Sequence, residues 1–342
     1  MTQRRRAQSL VRKTVVIGGG TGTYTVLMGL RRRVGELTAI INMVDDGGST
    51  GVLRDELGAL PPGDVRQSLV ALSPESHLLR ELMNYRFESG RLEGHPFGNL
   101  LLSALEKTTG SFAEAVQAAS RILAIEGTVL PVTTRDTHLC LRRPDGSVIK
   151  SQQIIEDSFF PPGDSPDVFL DPSAELNPEA REAILEADLV IFGPGSFYTS
   201  LVPTLLVGGM PEALQQTSAY VIYVCNLVTK PGQTEGFKVH DFVQALEHYS
   251  GERVFDEVVY DTTKPSGRLL EKYRAAGEEW VEYDEAAFKK ATYRATGADL
   301  IARRAPRPVK GDTLLARNFI RHDSEKLANL LIDLYQQRRF SD

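Results

Sequence analysis

The strongest constraint on the fold of this chain is a repeated local pattern, an apolar run that empties into a glycine-rich turn. Val15-Val16-Ile17 leads into Gly18-Gly19-Gly20-Thr21-Gly22-Thr23, and Ile40-Ile41-Asn42-Met43-Val44 leads into Asp45-Asp46-Gly47-Gly48-Ser49-Thr50-Gly51. Later, Leu189-Val190-Ile191-Phe192 leads into Gly193-Pro194-Gly195-Ser196. A glycine turn at the end of a buried strand lets backbone N–H groups approach a phosphate, and the following helix aims its positive end there. Such a chain predicts an α/β protein with a phosphorylated ligand at one edge of its sheet.

The rest of the pattern agrees. Strand 14–18, helix 23–33 and strand 38–44 are followed by helical periodicity in 64–73, 76–87, 98–109 and 111–124, the last opened by a capping box of Ser111 and Glu114. Thr137–Leu141 and Ser147–Ser151 flank the turn Pro144-Asp145-Gly146 and predict a β-hairpin. The segment 157–178, rich in Pro and Asp around Pro161-Pro162-Gly163-Asp164, reads as a surface connection, closed by an Asn177 cap and Pro178 at the start of a helix. Strand Asp188–Phe192, helix 198–216, strand Ala219–Leu227, helix 239–250 and strand Glu257–Tyr260 resume the alternation, and Asp323–Arg339 closes it as an amphipathic helix. Strands alternating with helices predict a Rossmann-like, doubly wound, mainly parallel sheet. The expected layout is a basic tail over 1–13 and a single α/β domain over 14–342, with a hairpin insertion at about 128–176.

Composition narrows the function classes. A net charge of -6 argues against nucleic acid as the general partner. The N-terminal Arg4, Arg5, Arg6, Arg12 and Lys13 run straight into a strand and a glycine turn rather than an apolar signal core, so they read as a solvated tail. No apolar run is long enough to cross a bilayer. Cys140 and Cys225 lie in strand-like runs without metal spacing and read as buried thiols. A cytoplasmic protein is expected.

The candidate ligand residues follow from the turns. Gly19, Gly20, Thr21, Gly22 and Thr23 form the first cradle; it lacks the lysine of a P-loop, and Thr23 stands where the Rossmann spacing wants a third glycine. In the second turn, Gly47, Gly48 and Ser49 follow two adjacent acids. Asp45 or Asp46 could take a ribose hydroxyl or, by oxygen ligation, Mg2+. Gly63 and Asp64 open the next helix, where Asp64 with Gln67 also reads as a cap. Arg54 and Arg66 are the nearest forks for phosphate oxygens. Asn99 is either a cap or a ligand contact, and His95 a loop residue. Gly193, Gly195 and Ser196 repeat the cradle in the second half, and Asn226 and Thr229 follow the next strand. These loops would converge on the carboxyl edge of one sheet, where open α/β sheets bind ligands. Nothing marks a nucleophile or a catalytic triad, so no catalytic residue is assigned.

The segments VVIGGGTGT, DDGGSTGVLR, LGALPPGDVRQSLVALS, GHPFGNLLL, ADLVIFGPGSFYTSLVP and YVCNLVTKPGQTEGF, in this order, resemble the YvcK family. These bacterial gluconeogenesis factors are related to CofD, the phospholactate transferase of deazaflavin-coenzyme synthesis. The likeness runs from about residue 14 to 336. It implies a cytoplasmic, often dimeric protein that binds UDP-sugars such as UDP-N-acetylglucosamine and serves cell shape and peptidoglycan synthesis on gluconeogenic carbon sources. No reaction is established for that branch, so no cofactor is required and protein partners are unassigned. In CofD relatives two Asp residues hold Mg2+, and the matching positions are Asp46, with Asp45 as the alternative, and Asp64. Tyr273 and Arg321-His322-Asp323 match residues tied to UDP-sugar binding. The chain departs from the family pattern at Val52, Phe197, Thr204 and Phe242. Three readings follow: a UDP-sugar-binding regulator, a Mg2+-dependent CofD-like transferase, and an NAD-binding oxidoreductase.

Overall fold

The computed structural model describes residues 11–74, 77–160, 165–265, 267–302 and 320–339. Arg4, Arg5 and Arg6, the Pro161–Asp164 run and the segment 303–319 lie outside the described residues.

Seven strands form one parallel sheet: β1 (Lys13–Gly18), β2 (Glu36–Ile41), β3 (Thr128–Pro131), β7 (Leu189–Phe192), β8 (Tyr220–Val224), β9 (Glu257–Asp261) and β10 (Arg294–Ala298). A second, antiparallel sheet holds β4 (His138–Arg142), β5 (Val148–Lys150) and β6 (Asp167–Asp171) in the order β5-β4-β6. The parallel sheet runs β10-β9-β8-β7-β1-β2-β3. From β1 the chain winds outward to β2 and β3, then returns to β7 beside β1 and winds the other way. The order therefore reverses between β1 and β7, which pair in register at Val16↔Ile191. Val15, Val16 and Ile17 of β1 and all of β7 are buried, as expected for strands covered by helices on both faces.

The expected doubly wound sheet is present, and several local readings change within it. The helix expected over 23–33 spans Gly20–Leu30, drawing the glycine turn into its first coil. The DDGGSTG turn continues into a helix, Gly48–Leu57. Thr128–Pro131 joins the parallel sheet rather than the insertion. The hairpin forms as expected, with Ser147 N donating to Asp145 Oδ1 at 2.9 Å, but a third strand, β6, lies inside the stretch read as connection. Val168 and Leu170 alternate inward there, a signal hidden by the flanking Pro and Asp residues. The helix expected over 198–216 breaks into a π-turn, Phe197–Leu201, and short helices Val202–Leu205 and Met210–Gln216. Pro203 has no N–H to continue the ladder, and Gly209 sits at φ 88° between the last two.

β10 escaped the sequence reading because Arg-Ala-Thr-Gly-Ala carries no strand signature. It pairs only with β9, and Gly297 admits the Tyr260 ring: a Cβ there would stand 2.8 Å from Cζ. Strand β1 begins at Lys13; the backbone amides of Arg12 and Lys13 both donate to Asp188 Oδ2, at 2.9 and 2.7 Å, so those two residues are tied down rather than part of a tail. The Ser111 and Asn177 caps form, accepting from Glu114 N and Glu179 N. Both cysteines are buried and unpaired with each other. The C-terminal helix Ser324–Arg339 lies across Gly20–Leu30 so closely that a Cβ on Gly29 would meet the Ser324 carbonyl oxygen at 2.2 Å. The residues just before it are tied to the segment that follows β10, with Ala302 N donating to Arg321 O at 2.8 Å and Asp323 N to Leu300 O at 2.7 Å.

Candidate ligand cleft at the sheet edge

A cleft of 980 Å³ opens over the carboxyl ends of β1 and β7, the point where the strand order reverses and where open α/β sheets hold ligands. The turns after both strands form its floor. They touch so tightly that a Cβ on Gly22 would lie 1.8 Å from the Pro194 carbonyl oxygen, which explains a glycine inside the first coil of a helix. Gly193 N donates to Ile17 O at 3.0 Å and locks the second turn to the first strand.

The structure brings most of the expected residues to this cleft. Gly19, Gly20, Thr21 and Gly22 line it from β1, and Asp45, Gly47, Gly48 and Ser49 from β2. Gly63, Asp64 and Arg66 line it from the helix Gly63–Leu72, and Asn99 from the helix Phe97–Thr109. Gly195 and Ser196, Asn226 and Thr229, and finally Tyr273 and Arg321 complete it from the second half of the chain. Four expected residues are not in the lining. Thr23 is buried, with its hydroxyl on the Gly19 carbonyl oxygen at 3.1 Å, and Gly193 packs against it. Arg54 is buried beneath the site, with Nη2 on Asp136 Oδ1 at 2.7 Å and on the Thr137 carbonyl oxygen at 2.9 Å. Asp46 accepts the backbone N–H groups of Gln152 and Gln153, at 2.7 and 2.9 Å, and so starts the short helix Gln152–Glu156.

The two adjacent acids therefore part company. Asp45, not Asp46, stands with Asp64. Gly47 N donates to Asp45 Oδ1 at 3.0 Å, and Gly20 N–H reaches the Asp64 carboxylate. Asp64 is not a cap: the helix begins at Gly63 behind Pro62, and the carboxylate leans over Gly19. Burial, then the Asp45 charge, pushes the Asp64 carboxyl up to about 7, against the pull of Gly20 N–H and Arg66. Burial likewise raises Asp45, against the Gly47 N–H and the Thr50 hydroxyl.

Neighbouring polar side chains form a connected set. Arg66 Nε donates to Asn99 Oδ1 at 3.0 Å, Asn99 Nδ2 to Ser49 Oγ at 3.2 Å, and Ser49 Oγ lies 2.9 Å from His95 Nδ1. Asn99 sits in the first turn of Phe97–Thr109 and caps nothing. Asn226 holds the GPGS turn, giving Nδ2 to the Gly195 carbonyl oxygen at 2.8 Å. The Tyr273 hydroxyl accepts Ile320 N at 2.7 Å and ties the segment carrying Arg321 to the cleft wall.

Sequence reasoning missed Asn42, Glu156 and Lys230, all of which line the cleft. Asn42 interrupts an apolar run, a usable signal; it gives Nδ2 to the Thr199 carbonyl oxygen at 3.2 Å and leaves Oδ1 buried without a partner. Glu156 and Lys230 pair across the cleft from segments 74 residues apart, which no local pattern reveals. His322, just beyond Arg321, is buried; its ring donates to the Cys225 carbonyl while Nε2 has no partner, and burial drops its pKa to about 4.

Similar proteins share this framework. The model of the family described as 2-phospho-L-lactate transferase CofD matches residues 14–301. A Thermotoga maritima protein named "Putative gluconeogenesis factor" is 43% identical over 321 residues, covering 93% of this chain and 98% of that protein. The Bacillus subtilis protein named gluconeogenesis factor is 37% identical over 329 residues, covering 95% and 98%. The crystal structure of a UPF0052 family member from Bacillus halodurans superposes with a TM-score of 0.84 at 35% identity, covering 94% of this chain and 99% of that one.

Proposed function

We propose, from the premise that this chain belongs to the CofD family and to its gluconeogenesis-factor branch, that it is a regulatory protein that binds a nucleotide sugar of the UDP-N-acetylglucosamine type. The observation that carries the reading is the pair of glycine turns at the β1/β7 switch point, facing one cleft that ends at Tyr273 and Arg321. In this reading the Gly19–Gly22 and Gly195–Ser196 turns hold the diphosphate through backbone N–H groups. Asp45 meets ribose or a cation, and Tyr273 and Arg321 contact the sugar-diphosphate end. A role in cell shape and peptidoglycan synthesis during gluconeogenic growth, a cytoplasmic setting and a homodimer belong to the same proposal. Titration calorimetry with UDP-N-acetylglucosamine tests it: saturable binding that weakens in Arg321→Ala supports the reading, and no heat at millimolar ligand removes it.

A second reading, a Mg2+-dependent CofD-like transferase, draws support from the family match over 14–301 and from the acid pair. Asp45 and Asp64 are two carboxylates on one cleft wall, each raised by burial. That suits a Mg2+ bound by one or two carboxylates together with ligand phosphates. Mg2+ there would neutralise charge on a transferring group, while the chain's own N–H donors would position it. Turnover of a nucleoside diphospholactate with a deazaflavin acceptor decides for this reading. An NAD-binding oxidoreductase gains no support from the site, because Thr23 occupies the third glycine position and its hydroxyl closes onto Gly19.

A further inference from the structure

We propose that Ser196, Thr199 and Lys230 form an anion subsite in this cleft, and that Glu156 occupies it as a built-in stand-in for a ligand phosphate. The inference rests on the nucleotide-sugar reading and adds to it a competitor carried by the chain itself.

Glu156 ends the short helix Gln152–Glu156 and reaches the cleft. Its Oε1 accepts from Lys230 Nζ and, at 3.3 Å, from the Ser196 hydroxyl; its Oε2 accepts from the Thr199 hydroxyl. The donors come from two segments, Ser196 and Thr199 from the turn and π-turn after β7 and Lys230 from the loop after β8, and converge on a single carboxylate. An ammonium and two hydroxyls around a pair of oxygens make a donor set that suits phosphate as well as carboxylate. Lys230 is the one lysine lining the cleft among the described residues.

Proton counting makes the two occupants exclusive. Each hydroxyl has one proton to donate. While Glu156 accepts both, neither Ser196 nor Thr199 can donate to a phosphate. A phosphate that takes those protons must displace the carboxylate, which can swing on its own side-chain torsions while its helix stays put. The helix is tethered at both ends: Asp46 accepts the N–H groups of Gln152 and Gln153, and Gln233 Nε2 donates to the carbonyl oxygens of Ile155 and Glu156 at 2.9 and 2.8 Å. The fold thus delivers Glu156 to the donors rather than leaving the contact to a free surface side chain. The two phosphates of a nucleotide-sugar diphosphate together bring two negative charges and more acceptor oxygens than the single carboxylate, which favours the exchange.

Calorimetry with UDP-N-acetylglucosamine and with inorganic pyrophosphate tests the subsite on the intact chain. The isosteric Glu156→Gln variant should bind both probes about fivefold tighter, the scale of a part-exposed ion pair removed from competition. The gain should vanish when Ser196→Ala and Thr199→Val are combined with it, which a thermodynamic cycle reads directly. Glu278→Gln removes the same charge from the same cleft without touching those hydroxyls, and should gain less than about twofold. Unchanged or weaker binding in Glu156→Gln, or a gain that survives loss of both hydroxyls, overturns the subsite while leaving the nucleotide-sugar reading intact. Pyrophosphate binding with that pattern but no UDP-N-acetylglucosamine binding keeps the subsite and overturns the ligand reading; no binding of either probe overturns both.

Discussion

The Asp64 carboxylate lies against the α-carbon of Gly19, so close that a Cβ on Gly19 would stand 2.2 Å from Asp64 Oδ2. A helix first turn and a glycine loop from different parts of the chain thereby share one surface. Asp45 is the other acid on that surface, and desolvation raises both carboxyls above their ordinary range.

Stability should consequently depend on pH through Asp64. In the unfolded chain an Asp loses its proton near about 4, whereas in the folded protein burial and Asp45 hold this carboxyl to about 7. Between those values the folded state binds more protons, so stability is full below the lower value and declines as pH rises through the upper one. Melting curves of Asp64→Asn should show a flatter decline over that window and a higher Tm than the parent at pH 8. Mg2+ at pH 8 should raise the Tm of the parent more than that of the variant; equal responses would remove Asp64 from the cation site.

His322 supplies the opposite sign. Its folded pKa of about 4 lies below the ordinary imidazole value, because burial disfavours the charged ring. The unfolded state therefore takes up the proton first as pH falls, and His322 removes stability from below about 6.5. In an NMR titration the His322 ring should remain neutral at pH 5.5, whereas an ordinary titration centred near 6.5 would contradict its burial.

Gly22→Ala should destabilise the protein, reversing the usual preference. In a helix interior Ala gains up to about 1 kcal/mol over Gly. Here the new Cβ would meet the Pro194 carbonyl oxygen at 1.8 Å, a backbone contact that cannot swing aside. A loss of about 2 kcal/mol or more is expected from forced separation of the two turns, read as a lower denaturant midpoint. A neutral or stabilising result would show that the turns are not in contact.

The adjacent acids should separate by experiment. Asp46→Ala removes the acceptor for Gln152 and Gln153, so hydrogen exchange should accelerate at those two amides with a cost of about 1 kcal/mol, the scale of a lost helix cap. Asp45→Asn should leave those amides protected and instead alter ligand or cation binding. Identical exchange in both variants would contradict the division.

Much of this was legible in the chain. Strand–glycine–helix signals are local, so the turns after Ile17, Val44 and Phe192 could be placed at one sheet edge before any coordinates. What escaped shows where local information ends. Arg54 was a fair phosphate ligand by composition, yet it is buried beneath the site, where the segment before β4 brings the exposed Asp136 to its guanidinium. The Arg294–Ala298 strand has no apolar alternation, and it forms because β9 offers an unpaired edge.

By itself the sequence determined the parallel α/β framework, the succession of turns and the glycine positions, since these follow from backbone sterics and burial within a few residues. The tertiary structure decided which way the side chains face. Asp45 turns to Asp64 and Asp46 to the helix Gln152–Glu156, although the two are neighbours. Glu156 meets Lys230, Ser196 and Thr199 only because the insertion folds back over the switch point. Those choices are set by partners far away in the chain, through desolvation and hydrogen bonding that no local pattern encodes.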